Sequence, residues 1–181
     1  MAEFSANGET REMHLDGRDP AVRRILAALI ADARRDPARL AALTGISEDQ
    51  ISALVSQLER QRVIRGYKTV VDWDRLGVER VVAFIDVSVS PQREVGFDQV
   101  AARIYRHPEV RSVHLVSGGH DLRIIVEAPT MREIAQFVSE KLAPIDRVTA
   151  TNTHFLLKAY KIDGDILVED APSDDRLPVT P

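Results

Sequence analysis

The sequence predicts an α+β protein in two parts: an N-terminal winged helix–turn–helix, then a ferredoxin-like βαββαβ domain. Three observations predict this. Apolar residues recur at helical spacing through residues 20–58. Beyond Arg62 the pattern changes to β-branched and aromatic residues. From Val81 onward, runs of alternating and helical periodicity follow the order strand, helix, strand, strand, helix, strand. A length of 181 residues accommodates two small domains.

Asp19–Pro20 opens the first helix, because Asp caps free amides and Pro suits the first helical position. Val22, Ile25, Leu26, Leu29 and Ile30 form its apolar side. Asp36–Pro37 repeats the start signal, and Leu40, Ala41 and Leu43 mark a short second helix. Thr44–Gly45–Ile46 is the turn, with Gly45 suited to a left-handed backbone. Ser47 followed by Gln50 is a capping box that starts a third helix with Ile51, Leu54, Val55 and Leu58 on its inner side. The segment VIRGYKTVVDW then reads as extended chain with a turn or bulge at Gly66.

In the second part, Val81–Ser90 and Val110–Val116 read as strands around a helix that carries Phe97, Val100, Ala101 and Ile104. Ser117-Gly118-Gly119-His120-Asp121 is a turn into a third strand, Leu122–Glu127. Met131, Ile134, Phe137, Val138 and Leu142 form the second helix, which Ala143–Pro144 ends. Val148–Tyr160 is a long last strand. The expected boundaries are 18–64 for the helix–turn–helix, 65–79 for an extended linker and 80–162 for the ferredoxin-like domain. Residues 1–17 and 163–181 are expected to be acidic flexible tails.

Both helices should lie on one sheet face, over Ile85, Val87, Val113, Leu115, Ile124 and Val126. The other face would show Val82, Phe84, His114, Val116, Ile125 and Leu156. An apolar strip of that kind predicts a homodimer packed sheet to sheet through Val82, Phe84, Val116, Ile125 and Leu156.

Charge divides unevenly. Residues 1–17 hold one basic and four acidic groups, and residues 163–181 hold one and six. Residues 18–76 hold eleven basic and eight acidic groups. A basic first domain permits contact with double-stranded DNA. Glu48, Asp49, Ser52, Ala53, Ser56, Gln57 and Arg60 are placed on the groove side of the third helix. Ser52, Ser56 and Gln57 can exchange hydrogen bonds with base edges. Arg60, Arg62, Arg65 and Lys68 can anchor phosphates. A plain three-helix bundle without a nucleic-acid partner is the plainer alternative.

Two adjacent glycines in the Ser117–Asp121 turn can expose amides to a carboxylate, and Asp121 could take an ammonium. The same residues equally suit a tight hairpin with Asp121 as its cap. There is no cysteine, which removes disulfides and cysteine-ligated metals. In the expected strand order, His114 and His154 stand on opposite edges, so the histidines read as structural or surface groups and no metal is expected. Asp86 and Glu127 read as surface or dimer-contact carboxylates. No nucleophile elbow, phosphate loop, dinucleotide fingerprint or zinc helix is present, so neither an enzyme nor a cofactor is expected. No apolar run approaches membrane-span length and the N-terminus is not a signal peptide, which points to the cytoplasm with no membrane partner.

The stretches GISEDQISALVSQLERQRVIRGYKTVVDWDRLG, VRSVHLVSGGHDLRIIVE and EKLAPIDRVTATNTHFLLKAY resemble the Lrp/AsnC, or feast/famine, family of transcriptional regulators. The resemblance covers about residues 18–162 and implies a RAM-type second domain. It implies sequence-specific DNA binding by the first domain. It further implies homodimers that assemble higher, commonly to octamers, and an amino-acid effector that modulates assembly or DNA affinity. Ser117, Gly118, Gly119, His120 and Asp121 match the family's effector loop, and Thr151 and Thr153 match its last-strand region. The third helix departs from the family by carrying Glu48 and Asp49 where basic residues are usual. His120 stands where Tyr is frequent. These departures leave a second possibility, an amino-acid-sensing oligomer that acts through protein partners.

Overall fold

In the computed structural model, which describes residues 16–90 and 96–168, the chain divides into two compact units at Thr69/Val70. The expectations for residues 1–15 and 169–181 fall outside the described residues.

The first unit holds α1 (Pro20–Ala31), α2 (Pro37–Thr44) and α3 (Glu48–Arg60). Each begins where a side chain satisfies free amides. The Asp19 carboxylate accepts the Ala21 N–H at 2.7 Å, and Asp36 accepts that of Arg39 at 2.7 Å. Ser47 and Gln50 close a capping box at α3, with both reciprocal bonds at 3.4 Å. Gly45 ends α2 at φ 73°, in the left-handed region that costs a side-chain residue more than glycine. Val22, Ile25, Leu29, Leu40, Ile51, Leu54 and Leu58 form the core. Ile30 and Leu43 lie outside it and are exposed. Ile30 follows Leu29 by one residue, which turns it about 100° round the helix and off the buried stripe.

The second unit is built on β1 (Val81–Val89), β2 (Val110–Leu115), β3 (Leu122–Ala128) and β4 (Val148–Phe155). They form one antiparallel sheet in the order β2-β3-β1-β4. Between them run α4 (Phe97–Ile104) and α5 (Met131–Gln136), the latter continuing as a π-helical turn over Phe137–Leu142. Val100, Ile104, Ile134, Phe137 and Leu142 pack on Ile85, Val87, Ile124 and Val126. One sheet face is therefore covered by helices and the other is open, as expected of this fold.

Three expectations change. Leu115 pairs with Leu122 on the helix side, but it ends an edge strand with a neighbour on one side only and is exposed. The last strand stops at Phe155, and a short hairpin follows, β5 (Lys161–Ile162) and β6 (Asp165–Ile166). Residues 163–168 thus belong to ordered structure, not to a tail. Residues 70–79 sit in the second unit: Trp73–Gly77 is a turn, and the Arg80 guanidinium lies 4.8 Å from the Trp73 ring centroid. This stretch is a packed element where the sequence suggested a plain spacer.

Candidate functional site

The inner side of α3 is fixed by Ile51, Leu54 and Leu58, which leaves Ser52, Ala53, Ser56 and Arg60 exposed on the opposite side. Gln57 is only 5% exposed. It lies three residues after Leu54, so it shares the inward stripe, and its expected place among the base readers is corrected. Glu48 and Asp49 are exposed in the first turn, where the helix dipole favours them.

Past α3 the backbone turns sharply. Arg62 takes φ 57°, and the Val63 and Ile64 N–H groups both donate to the Leu58 carbonyl, at 2.9 and 3.1 Å. This is a left-handed helix stop occupied by arginine instead of glycine. It leaves Arg62 exposed beside Arg60. The extended segment is fastened back by Tyr67, whose hydroxyl donates to Glu59 at 2.8 Å. Burial and then the neighbouring Glu59 push the Tyr67 hydroxyl pKa up. Arg65 and Lys68 are exposed along this segment. The Tyr67–Glu59 bond gave no periodic signal in the sequence.

In the second unit the Ser117–Asp121 turn joins β2 to β3. Gly118 takes φ 132°, a conformation that favours glycine, whereas Gly119 does not. A Cβ on either would meet open space, so the turn is not packed against other described residues there. Asp121 is anchored three ways. Its carboxylate accepts the Val89 N–H at 2.7 Å, its N–H donates to the Val87 carbonyl at 3.1 Å, and its carbonyl accepts the Val116 N–H at 2.9 Å. The carboxylate meets β1 where its pairing with β4 shifts register, between Ser88 and Val89. Asp121 therefore ties the turn to the end of β1, a bond neither considered alternative for this residue included.

Beneath the turn lies a group of side chains that, His120 apart, was absent from the expected site. Asp86 occupies the open face between buried Ile85 and Val87, and the register sets it beside Arg123 on β3 and Asn152 on β4. Arg123 grips it through Nε at 2.7 Å and Nη2 at 3.0 Å. His120 Nε2 stands 4.0 Å and His154 Nε2 3.6 Å from the same carboxylate. His120 Nδ1 lies 3.3 Å from the Ser88 hydroxyl, and Asn152 contacts His154 at 3.0 Å. The Arg123 bonds hold the Asp86 carboxyl below its ordinary pKa, against a desolvation penalty and with help from both histidines. Asp86 itself is only 4% exposed. A lone acid inside the apolar run VVAFIDVSV was the available signal, but only the sheet order supplied its partners. Among the described residues, no group of three or more His, Asp or Glu could hold a metal ion.

Asp86, Leu115, Val116, Ser117, Gly119, His120 and Arg123 line a cavity of about 480 Å³. Thr151 and Thr153 do not join it. They pair with Val87 and Ile85, whose side chains face the helices, so both threonines lie on the other side of the sheet. Within one chain the expected effector set is thereby divided.

Farther along the open face, Val82, Phe84, Ile125 and Leu156 line a second, broader groove. They are half-buried, because Val71–Asp74 and the segment 157–167 of the same unit border them. Val116 lies apart from them, at the turn cavity, and His114 is paired with Arg123 on the same face. Glu127 bridges Arg80 at 2.7 Å and Arg111 at 2.9 Å on the groove. Burial pushes its carboxyl up, but the two guanidiniums outweigh this and its pKa is lowered.

Comparison with known proteins gives a consistent result. The family model described as the Lrp/AsnC ligand binding domain matches residues 82–166, and that of a winged helix-turn-helix DNA-binding domain matches residues 18–65. The HTH-type transcriptional regulator YugG of Bacillus subtilis, itself uncharacterized, is 43% identical over 158 residues, covering 87% of this chain and 95% of that protein. The crystal structure of MtbAldR is 28% identical and superposes with a TM-score of 0.68, covering 85% of this chain and 99% of the other. The regulator NMB0573 of Neisseria meningitidis, solved as a complex with L-Met, shares the fold at 24% identity and a TM-score of 0.65, over 80% of this chain and 92% of the other.

Proposed function

The chain belongs to the Lrp/AsnC family of DNA-binding transcriptional regulators with a ligand-binding domain, and from that premise we propose a finer function. It is a sequence-specific regulator of the cytoplasm whose oligomeric state or DNA affinity is set by a small-molecule effector, an amino acid. Relatives in this family are transcriptional regulators and not enzymes.

The observation that carries the DNA half is the α2–Gly45–α3 arrangement. It buries Ile51, Leu54 and Leu58 and turns Ser52, Ser56 and Arg60 outward, with Arg62, Arg65 and Lys68 following. Serines on such a face suit base edges and the cations suit phosphates. The effector half is supported by the cavity under the Ser117–Asp121 turn, and by the L-Met complex of a protein with the same fold.

A homodimer through Val82, Phe84, Ile125 and Leu156, building to a higher assembly such as an octamer, fits the second groove. With Glu48 and Asp49 at the start of α3, each module binds DNA modestly and the assembly supplies the rest by multivalency. A gel shift at ~100 mM salt against the gene's own upstream region, with excess competitor DNA, tests this, since specific binding survives such competition. Loss of the shifted band to competitor, with or without amino acids, would favour action through protein partners.

A further inference from the structure

The cavity under the Ser117–Asp121 turn shows one charge and hides the other. Arg123 keeps 52% of its side chain exposed, while its partner Asp86 keeps 5%. Nε and Nη2 of Arg123 are engaged with Asp86, and no bond occupies Nη1 among the described residues. Asp86 thereby holds the guanidinium plane in place while presenting little carboxylate of its own. The Gly118 and Gly119 amides donate to no other described residue. Asp121, the acid of the turn, is bound to the Val89 N–H and does not line the cavity.

We propose that this cavity recognises its effector by the carboxylate, through Arg123 and the Gly119 amide, and makes no ion pair with an α-ammonium. Arg123 is then a specificity-determining residue and Asp86 a positioning residue. This deepens the effector reading given above and rests on it. A planar guanidinium with free donors matches a carboxylate, and an amide at a glycine turn adds a donor of the same sign. Among the described residues that line the cavity the one carboxylate is Asp86, 5% exposed and held by Arg123, so an α-ammonium is left with neutral acceptors such as Ser117 and peptide carbonyls. Val116 supplies an apolar wall for the rest of the molecule. The ligand class is therefore a small apolar carboxylate, and a 2-oxo acid satisfies it about as well as the matching amino acid.

The test uses the full chain and two sets of three probes. One is L-leucine, 4-methyl-2-oxopentanoate and L-leucinamide, and the other is the corresponding acid, oxo acid and amide of methionine. Dissociation constants come from calorimetry, with thermal shift in parallel. The oxo acid should bind within about threefold of its amino acid. The amide should bind at least ~10-fold more weakly, the low end of one lost charge-assisted hydrogen bond. Arg123→Lys keeps a cation for Asp86 but loses the fork, and should shrink the acid-to-amide difference. Should that variant fail to fold, the comparison on the native protein still decides. An amide that binds like its acid, or an oxo acid that fails where its amino acid binds, overturns the proposal while leaving an amino-acid effector intact. If none of the six probes binds, this proposal falls, and the amino-acid effector reading falls with it only if a thermal-shift screen of the twenty amino acids is also negative.

Discussion

Arg123 reaches across from β3 and closes two N–H···O bonds, of 2.7 and 3.0 Å, on the Asp86 carboxylate of β1. The pair sits on the open sheet face between an apolar groove and a polar cavity. It marks where the open face changes from apolar to polar.

This pair makes the second unit acid-sensitive. Asp86 is held below its ordinary pKa by the Arg123 bonds, Glu109 by its bond to Lys141, and Glu127 by Arg80 and Arg111 in spite of burial. A carboxyl whose folded pKa is lowered stabilises the fold above its unfolded pKa, and that stability is lost as pH falls through the folded value. Unfolding followed by Trp73, the single tryptophan, should therefore show stability falling below about pH 4. Asp86→Asn should cost stability at pH 7 and progressively less as the pH falls below about 4. A loss that does not change with pH would show that charge is not its source.

Asp121 should prove a structural tie. Asp121→Ala leaves the Val89 N–H without its acceptor and should cost about 1–2 kcal/mol in thermal or urea unfolding. Asp121→Asn keeps an acceptor and should cost less than half as much. Amino-acid affinity of the Asn variant, read by calorimetry, should stay within about twofold, well short of one lost charge-assisted bond. A large drop in affinity with intact stability would return Asp121 to the ligand.

Arg62 allows the proposed phosphate contact to be tested apart from the fold. At φ 57° a glycine is unstrained, so Arg62→Gly should leave the melting temperature equal or higher. DNA affinity should fall for all sequences alike, and the dependence of log K on log salt should lose about one unit of slope. A change confined to the preferred site would place Arg62 at a base edge.

Gln57 and Ser56 are neighbours with opposite burial. Gln57 is buried, so Gln57→Ala should lower stability by about 1–2 kcal/mol and leave the preferred DNA site unchanged. Ser56→Ala should leave stability within about 0.5 kcal/mol, and change the preferred sequence in a selection experiment. The reverse pattern would rotate α3 in the groove.

Phe84 tests the assembly. It lies on the open face, opposite Ile125 and His154. Phe84→Asp puts a charge into the apolar groove and should convert a dimer to monomer in sedimentation, because an unpaired charge is costly to bury. A native chain that sediments as a monomer at every concentration would remove the interface.

What the sequence determined by itself is local. Asp19–Pro20, Asp36–Pro37 and Ser47–Gln50 act through groups within three residues, so each helix start was legible. Gly45 was legible because a left-handed turn selects glycine, and the two periodicities fixed the order of strands and helices. Tertiary structure decided whatever depends on a partner distant in the chain. Gln57 is polar in sequence but falls on the inward stripe once Leu54 and Leu58 are packed. Thr151 and Thr153 lie in the expected strand, but its pairing with β1 turns them toward the helices. Asp86 and Arg123 are 37 residues apart. They meet because β1 and β3 are sheet neighbours, as do Asp121 and Val89 because the β2–β3 turn folds over the end of β1. Periodicity specifies which way a side chain points along its own element, whereas the choice of facing partner comes from packing whole elements together.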